Sequence, residues 1–299
     1  MTEPKKVFFI INRFSGTGYQ DSIEGRIMDA CGVLNYGCTI EYTQQRGHAT
    51  ELAQQAVSGK FDMAFAVGGD GTVNEVAQGL IGSNVAMGIL PKGSGNGLAR
   101  HLGIPMKFTS ALKLLQSPQV INMDTMSING KLSVNVSGIG FDGHVAGMFG
   151  KNGKRGLAGY TKLVLKEFIS YKELEAQVVV DGTLHQTHSF IIALANSSQF
   201  GNNARVAPLA SVCDELIDVC FIRKVPFSHV IGFAAKMFSG TLDKSSLVKI
   251  YKGKKISIQF AKAVAFHIDG EPQQPTASFD VHIDSRRLKM IVPSLKKRL

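Results

Sequence analysis

The sequence predicts an α/β domain followed by a mainly β domain. Two observations carry that reading. Across the first 105 residues an apolar strand, a glycine-rich loop and an amphipathic helix recur three times, the pattern of a parallel sheet covered on both faces. From about Asp124 the texture changes to short alternating runs punctuated by turn residues, which is antiparallel β composition.

In order, VFFII (7–11) leads through NRFSGTG (12–18) into a helix ending near Leu34. FDMAFAV (61–67) leads through GGDGT (68–72) into NEVAQGLI, and VAMGILP (85–91) leads through KGSGNG (92–97) into LARHLG. In a parallel sheet the loops after the strands gather on one edge, so the three glycine loops are expected to share a crevice. The β-rich part reads KLSVNVSGIGF (131–141), EAQVVVDGTLHQTHSFIIALAN (175–196), ELIDVCFIRKV (215–225) and KKISIQF (254–260), interrupted by helices at 157–171 and 226–240. RRLKMIVPSL (286–295) reads as one more strand that crosses back. The expected domains are 1–124, completed by 290–299, and 125–289.

The chain has 299 residues, enough for a sizeable core, and a formal charge of +10, which points to an anionic partner: nucleic acid, a lipid head-group layer or nucleotide phosphate. With no tryptophan and little aromatic interleaving in its basic clusters, nucleic acid is excluded as the expected partner. Four cysteines without a CxxC pair read as reduced thiols of a cytoplasmic protein, and neither a disulfide framework nor a zinc site is expected. The VFFII run is too short for a signal peptide, and no apolar run approaches the ~20 residues that span a bilayer, so membrane contact would be peripheral.

Each glycine loop opens a helix, where main-chain amides and the helix dipole favour an anion. No loop matches GxxxxGK[ST] or GxGxxG. Asp70, inside the second loop, reads either as a helix N-cap, a role Thr72 can also fill, or as a carboxylate facing Mg²⁺ through water beside a polyphosphate.

GGDGTVNEV (68–76), with NRFSG (12–16), PKGSGNGLAR (91–100) and HIDGEP (267–272), resembles the diacylglycerol kinase catalytic family, which includes bacterial soluble lipid kinases and the sphingosine and ceramide kinases. The resemblance covers essentially the whole chain. It implies an ATP- and Mg²⁺-dependent kinase of a lipid hydroxyl, with an α/β domain like that of NAD kinases and phosphofructokinases and a β-sandwich domain.

By that resemblance ATP is held by Asn12, Arg13, Phe14, Ser15 and Gly16, by Thr43, by Gly68, Gly69, Asp70, Gly71, Thr72, Val73 and Asn74, and by Ser94 and Asn96. Arg13 replaces the family's usual proline, and Gly97 stands where many bacterial relatives carry an acid; GSGN resembles the sphingosine and ceramide kinase branch. The resemblance also implies a structural Mg²⁺ on the Asp214 side chain and the carbonyls of Ser211 and Leu216, although Glu215 replaces a glycine. Asp124 would organise the site.

A lipid alcohol needs a base to take its proton during transfer. Two carboxylates separated by one glycine, Asp269 and Glu271, fit this need. By resemblance Glu271 accepts the proton and Asp269 orients or activates it, with Asp70 a rival base; an isolated DGE otherwise reads as a hairpin turn. His267 reads as either a proton shuttle or a core histidine.

The expected partners are a lipid substrate at the membrane surface and anionic head groups, held by basic clusters at 151–155, 249–255, 286–289 and 296–298. A homodimer is compatible with this reading. The stretch 147–169 reads as a lipid-entry segment placing Met148 and Phe149 in the acyl boundary, or as a loop and packed helix. A small-molecule kinase of the NAD-kinase type and a regulatory pseudokinase are the alternatives.

Overall fold

The computed structural model describes residues 3–16, 22–93, 95–152 and 167–294, with only the backbone described at 149–152. The chain forms two compact units, Met1–Thr125 with Ser285–Leu299, and Met126–Asp284.

The first unit runs β1 (Lys6–Ile11), α1 (Ile23–Val33), β2 (Gly37–Tyr42), α2 (His48–Ser58), β3 (Met63–Gly68), α3 (Asp70–Leu80), β4 (Ala86–Pro91), α4 (Gly97–His101), α5 (Phe108–Ala111) and β5 (Gln119–Met123). β1 pairs in parallel with β2 and β3, and β3 with β4. The strand Leu288–Val292 inserts between β4, parallel, and β5, antiparallel. Every residue of β3 and β4 is buried, as expected of parallel strands covered on both faces, and the rings of Phe9 and Phe65 stack at 5.3 Å.

The second unit runs β6 (Met126–Ile128), β7 (Lys131–Ser133), β8 (Val136–Gly140), α6 (Phe141–Asn152), β9 (Leu174–Val180), β10 (Thr183–Ser189), β11 (Ile191–Ala195), β12 (Ile217–Ile222), α7 (Val230–Ser239), β13 (Val248–Gly253), β14 (Lys255–Val264), β15 (Phe266–Ile268), β16 (Glu271–Pro272) and β17 (Thr276–Ile283). Its described residues form two six-stranded sheets, ordered β10-β9-β14-β17-β6-β7 and β13-β12-β11-β8-β15-β16. Side chains such as Val178, Leu194, Val219, Ile258 and Phe279 form the sandwich core. Alternation along β11 and β12 turns Ala193 and Cys220 to a second apolar cluster, on which Phe233 and Met237 of α7 pack.

Residues 147–152 are the end of α6, not a loop, and Met148 is half-buried. The Phe149 side chain, most of the expected 157–171 helix and the basic clusters at 151–155 and 296–298 lie outside the described residues.

Candidate active site

In the first unit the three glycine segments follow β1, β3 and β4 and pack backbone against backbone. Gly16 has φ +75°, and a β-carbon there would lie 1.9 Å from the Lys92 carbonyl oxygen. A β-carbon on Gly93 would lie 2.8 Å from Gly69 Cα, so the second and third loops touch through their main chains. The Gly68 carbonyl accepts the amides of Lys92 (2.8 Å) and Gly93 (3.3 Å). The glycines therefore serve the packing of the loops themselves as well as any ligand.

The stretch read as a GGDGT loop is mostly helix, because α3 begins at Asp70 with Gly69 as its N-cap. The Val73 amide already bonds the Gly69 carbonyl at 3.0 Å, and the Val73 side chain is buried. This removes Val73 from the expected nucleotide contacts and leaves the first-turn amides of Asp70, Gly71 and Thr72 as those without an intrahelical acceptor. Asn74 is engaged on the helix surface, where its Oδ1 accepts Gln78 Nε2 at 2.6 Å.

Asp70 does not cap its own helix. Its Oδ2 accepts the Asn96 amide and its Oδ1 the Gly97 amide, both at 2.8 Å, so it closes the N-terminus of α4. Asn96 itself has φ +48° and is buried, with its Nδ2 donating to the Gly93 carbonyl and no hydrogen-bond partner for its Oδ1. An ionised carboxylate has about four acceptor positions, and the Asn96 and Gly97 amides take one on each Asp70 oxygen. Mg²⁺ typically keeps several waters and uses one or two carboxylates plus substrate phosphates, and this donor set fits such an ion arriving with a nucleotide. Among the described residues no group of three acidic, histidine or cysteine side chains forms a closed metal cage.

Asn12 shapes the first segment, accepting the Phe14 amide at 3.0 Å and donating to Thr72 Oγ1 at 3.1 Å. Arg13 stacks 3.6 Å over the Tyr42 ring, Phe14 is largely exposed, and Ser15 Oγ lies against Gly69. Thr43 is buried after β2, its amide on the Ile11 carbonyl at 3.0 Å. Ser94 lies outside the described residues. Lys92, quoted in the motif but given no role, has a buried ammonium whose pKa is lowered by desolvation. Glu75 Oε2 accepts the Ala49 amide at 3.2 Å, closing the start of α2. Asp124 is buried and ion-paired with Arg287.

In the second unit Asp269 and Gly270 join β15 to β16 as a two-residue hairpin, with φ of +48° and +88°, the left-handed pair that a type I′ turn requires. The two acids part company there. Asp269 is buried, and its oxygens accept Ser133 Oγ (2.6 Å) and the amides of Val134 (2.8 Å) and Asn135 (3.1 Å). Glu271 is exposed. Of the two roles expected of Asp269, orienting or activating Glu271, the first accords with this geometry, in which its carboxylate ties the turn to the β7–β8 connection. His267 is also buried; its Nδ1 accepts the Gly270 amide at 3.0 Å, leaving Nε2 to face Asp142 Oδ2 at 3.3 Å. Asp142 carried no spacing signal in the sequence.

The expected structural Mg²⁺ site does not fit the residues. Asp214 Oδ2 meets Lys252 Nζ at 3.1 Å and its Oδ1 accepts the Leu216 amide at 3.2 Å. The same ammonium lies 3.2 Å from Asp218 Oδ2 and 3.3 Å from the Leu209 carbonyl. A cation already stands among these oxygens, and a divalent ion beside it would be repelled. Burial pushes the Asp218 pKa up to about 6, against the pull of Lys252. Glu215, at φ +58°, pairs with Lys254 at 2.7 Å. Two lysines of the 249–255 cluster and Arg287 of the 286–289 cluster are thus paired with acids of their own units.

The model of the diacylglycerol kinase catalytic domain matches residues 6–128, and that of the YegS C-terminal NAD kinase beta sandwich-like domain matches residues 135–292. A diacylglycerol kinase of Bacillus subtilis is 26% identical over 282 residues, covering 89% of this chain and 90% of its own length. A Klebsiella pneumoniae protein named "Probable lipid kinase YegS-like" is 28% identical over 240 residues, covering 78% of this chain and 79% of its own. The crystal structure of a diacylglycerol kinase from Bacillus anthracis superposes with a TM-score of 0.77 at 21% identity, covering 98% and 99% of the two chains, a likeness of fold. The chain belongs to the diacylglycerol kinase family of lipid kinases.

Proposed function

We propose that the chain transfers the γ-phosphoryl group of ATP to the hydroxyl of a diacylglycerol or sphingoid-type lipid, working as a cytoplasmic protein that meets the membrane peripherally. The observation that carries the reading is the meeting of three glycine segments, the first turn of α3 and the Lys92 ammonium at the ends of β1, β3 and β4. That cradle presents main-chain amides and one buried cation, the equipment for a polyphosphate.

When bound, ATP with Mg²⁺ supplies the phosphoryl group and neutralises part of its charge. Asp70, Gly71 and Thr72 present amides to the phosphates, and Lys92 adds a point charge. Asp70 holds α4 in place with its carboxylate, which would also face the hydrated cation. Glu271 takes the hydroxyl proton as the lipid oxygen bonds to phosphorus and the bond to the leaving ADP oxygen breaks. Between the two candidate bases, the exposed Glu271 is favoured, because both oxygens of Asp70 already hold main-chain amides. Asp269 positions Glu271 by fixing the turn.

The test is a lipid panel with labelled ATP and Mg²⁺, read by extraction of labelled lipid. Labelled lipid from the wild type that is lost in Glu271→Gln supports the reading. Label found only in a sugar or nucleotide fraction overturns it.

A further inference from the structure

The segment PFSHVIGFAAKMFSG (226–240) folds as a short 3₁₀ turn, Phe227–His229, followed by α7. One face of the helix packs inward through Phe233 and Met237. The opposite stripe is apolar as well: Phe227 is 69% exposed, Ile231 85% and Phe238 55%. Spacings of four and seven residues place these three on one side of the helical path. Apolar residues on two opposite faces, with Lys236 between them, suit a helix that packs on the protein with one face and meets lipid with the other. At 10 residues, about 15 Å, α7 is half the thickness of a bilayer core and cannot cross it, so it suits the interface plane.

The stripe continues across an open groove in which Phe227 faces Phe168, Ile169, Lys172 and Lys224, and Ile169 is 66% exposed. Cations flank it. The Lys224 ammonium donates to the carbonyls of Ile169 (3.0 Å) and Tyr171 (2.6 Å), and that of Lys236 to the Lys244 carbonyl (3.2 Å). Neither bond neutralises the charge. Among the described residues around the stripe, Lys172, Arg223, Lys224, Lys236 and Lys244 stand against three acids: Glu167, which is held by His144, Glu173, which pairs with Arg223 at 3.7 Å, and Asp243. This excess matches an anionic head-group layer, whereas a second copy of the chain would bring like charges together.

We propose that Phe227, Ile231 and Phe238, flanked by these lysines, seat the second unit in the interface of an anionic bilayer. The inference rests on the lipid-kinase reading for its purpose, and its test needs no nucleotide. The full chain is sedimented with vesicles of phosphatidylcholine alone or with about 30 mole per cent phosphatidylglycerol. The expected result is binding to the anionic vesicles, weakened on the order of a hundredfold in Phe227→Ser/Ile231→Ser/Phe238→Ser, with an unchanged melting temperature because the three are exposed. Lys172→Gln/Lys236→Gln is expected to lose the preference for anionic over neutral vesicles.

Undiminished vesicle binding by the triple variant overturns the proposal. So does a wild type that ignores vesicles but is a dimer which the same substitutions dissociate, since a second copy then covers the stripe. Vesicle binding that depends on the stripe without phosphorylation of any lipid sinks the kinase reading and leaves the surface standing. Lipid phosphorylation with stripe-independent binding does the reverse.

Discussion

Asp70 Oδ1 accepts the main-chain amide of Gly97 at 2.8 Å, across 27 residues of sequence. With the matching bond to Asn96, one side chain at the start of α3 closes the start of α4. Asp70→Asn turns one acceptor into a donor that faces an amide. We expect a loss on the order of 1–3 kcal/mol in urea unfolding together with loss of phosphoryl transfer. Full stability with no activity would assign Asp70 to chemistry alone.

Glu271 and Asp269 should separate cleanly. Glu271→Gln alters an exposed side chain, so the melting temperature should hold while turnover falls about 10²–10⁴-fold, the usual range for a lost general base. Asp269→Asn breaks a buried network of three donors and should lower stability by about 1–3 kcal/mol as well as turnover. Equal effects of both on melting would contradict the division of roles.

With the Lys252 ammonium between the Asp214 and Asp218 carboxylates, we expect the second unit to fold without a structural metal. Chelation with EDTA, in the absence of nucleotide, should leave its unfolding midpoint where Mg²⁺ leaves it. Lys252→Met should cost on the order of 1–3 kcal/mol, less than a fully buried pair because the lysine is 35% exposed, since it strands the buried Asp218 carboxylate. A saturable rise in wild-type midpoint with Mg²⁺ alone would show that the ammonium does not fill this place.

Gly16→Ala demands space where the Lys92 carbonyl already stands and a φ of +75°. We expect at least a roughly tenfold loss in ATP affinity by titration, with little change in global stability because the segment lies at the loop edge.

The parallel core was legible because β1, β3 and β4 are nearly continuous apolar runs bounded by glycine. β2, GCTIEY, escaped notice: it is a half-exposed edge strand whose composition is that of a loop, and its partner α2 went with it. The motif residues were legible as a group, their individual duties were not. Spacing could not show that Asp70 and Glu75 close other helices, or that one acid of DGE turns inward. Those outcomes depend on long-range contacts such as Asp269 to Ser133, 136 residues apart. Lys252 likewise read as one charge in a basic run, because its counter-ions lie 34 and 38 residues upstream.

The strand Leu288–Val292 is interior to the first sheet, between β4 and β5. Emerging from the ribosome, β1 to β5 therefore wait, with open hydrogen-bonding edges on β4 and β5, until residues 288–292 have been synthesised. The Met126–Asp284 unit, whose strands are contiguous in sequence, can reach its native form earlier, so the order of maturation runs against the order of synthesis.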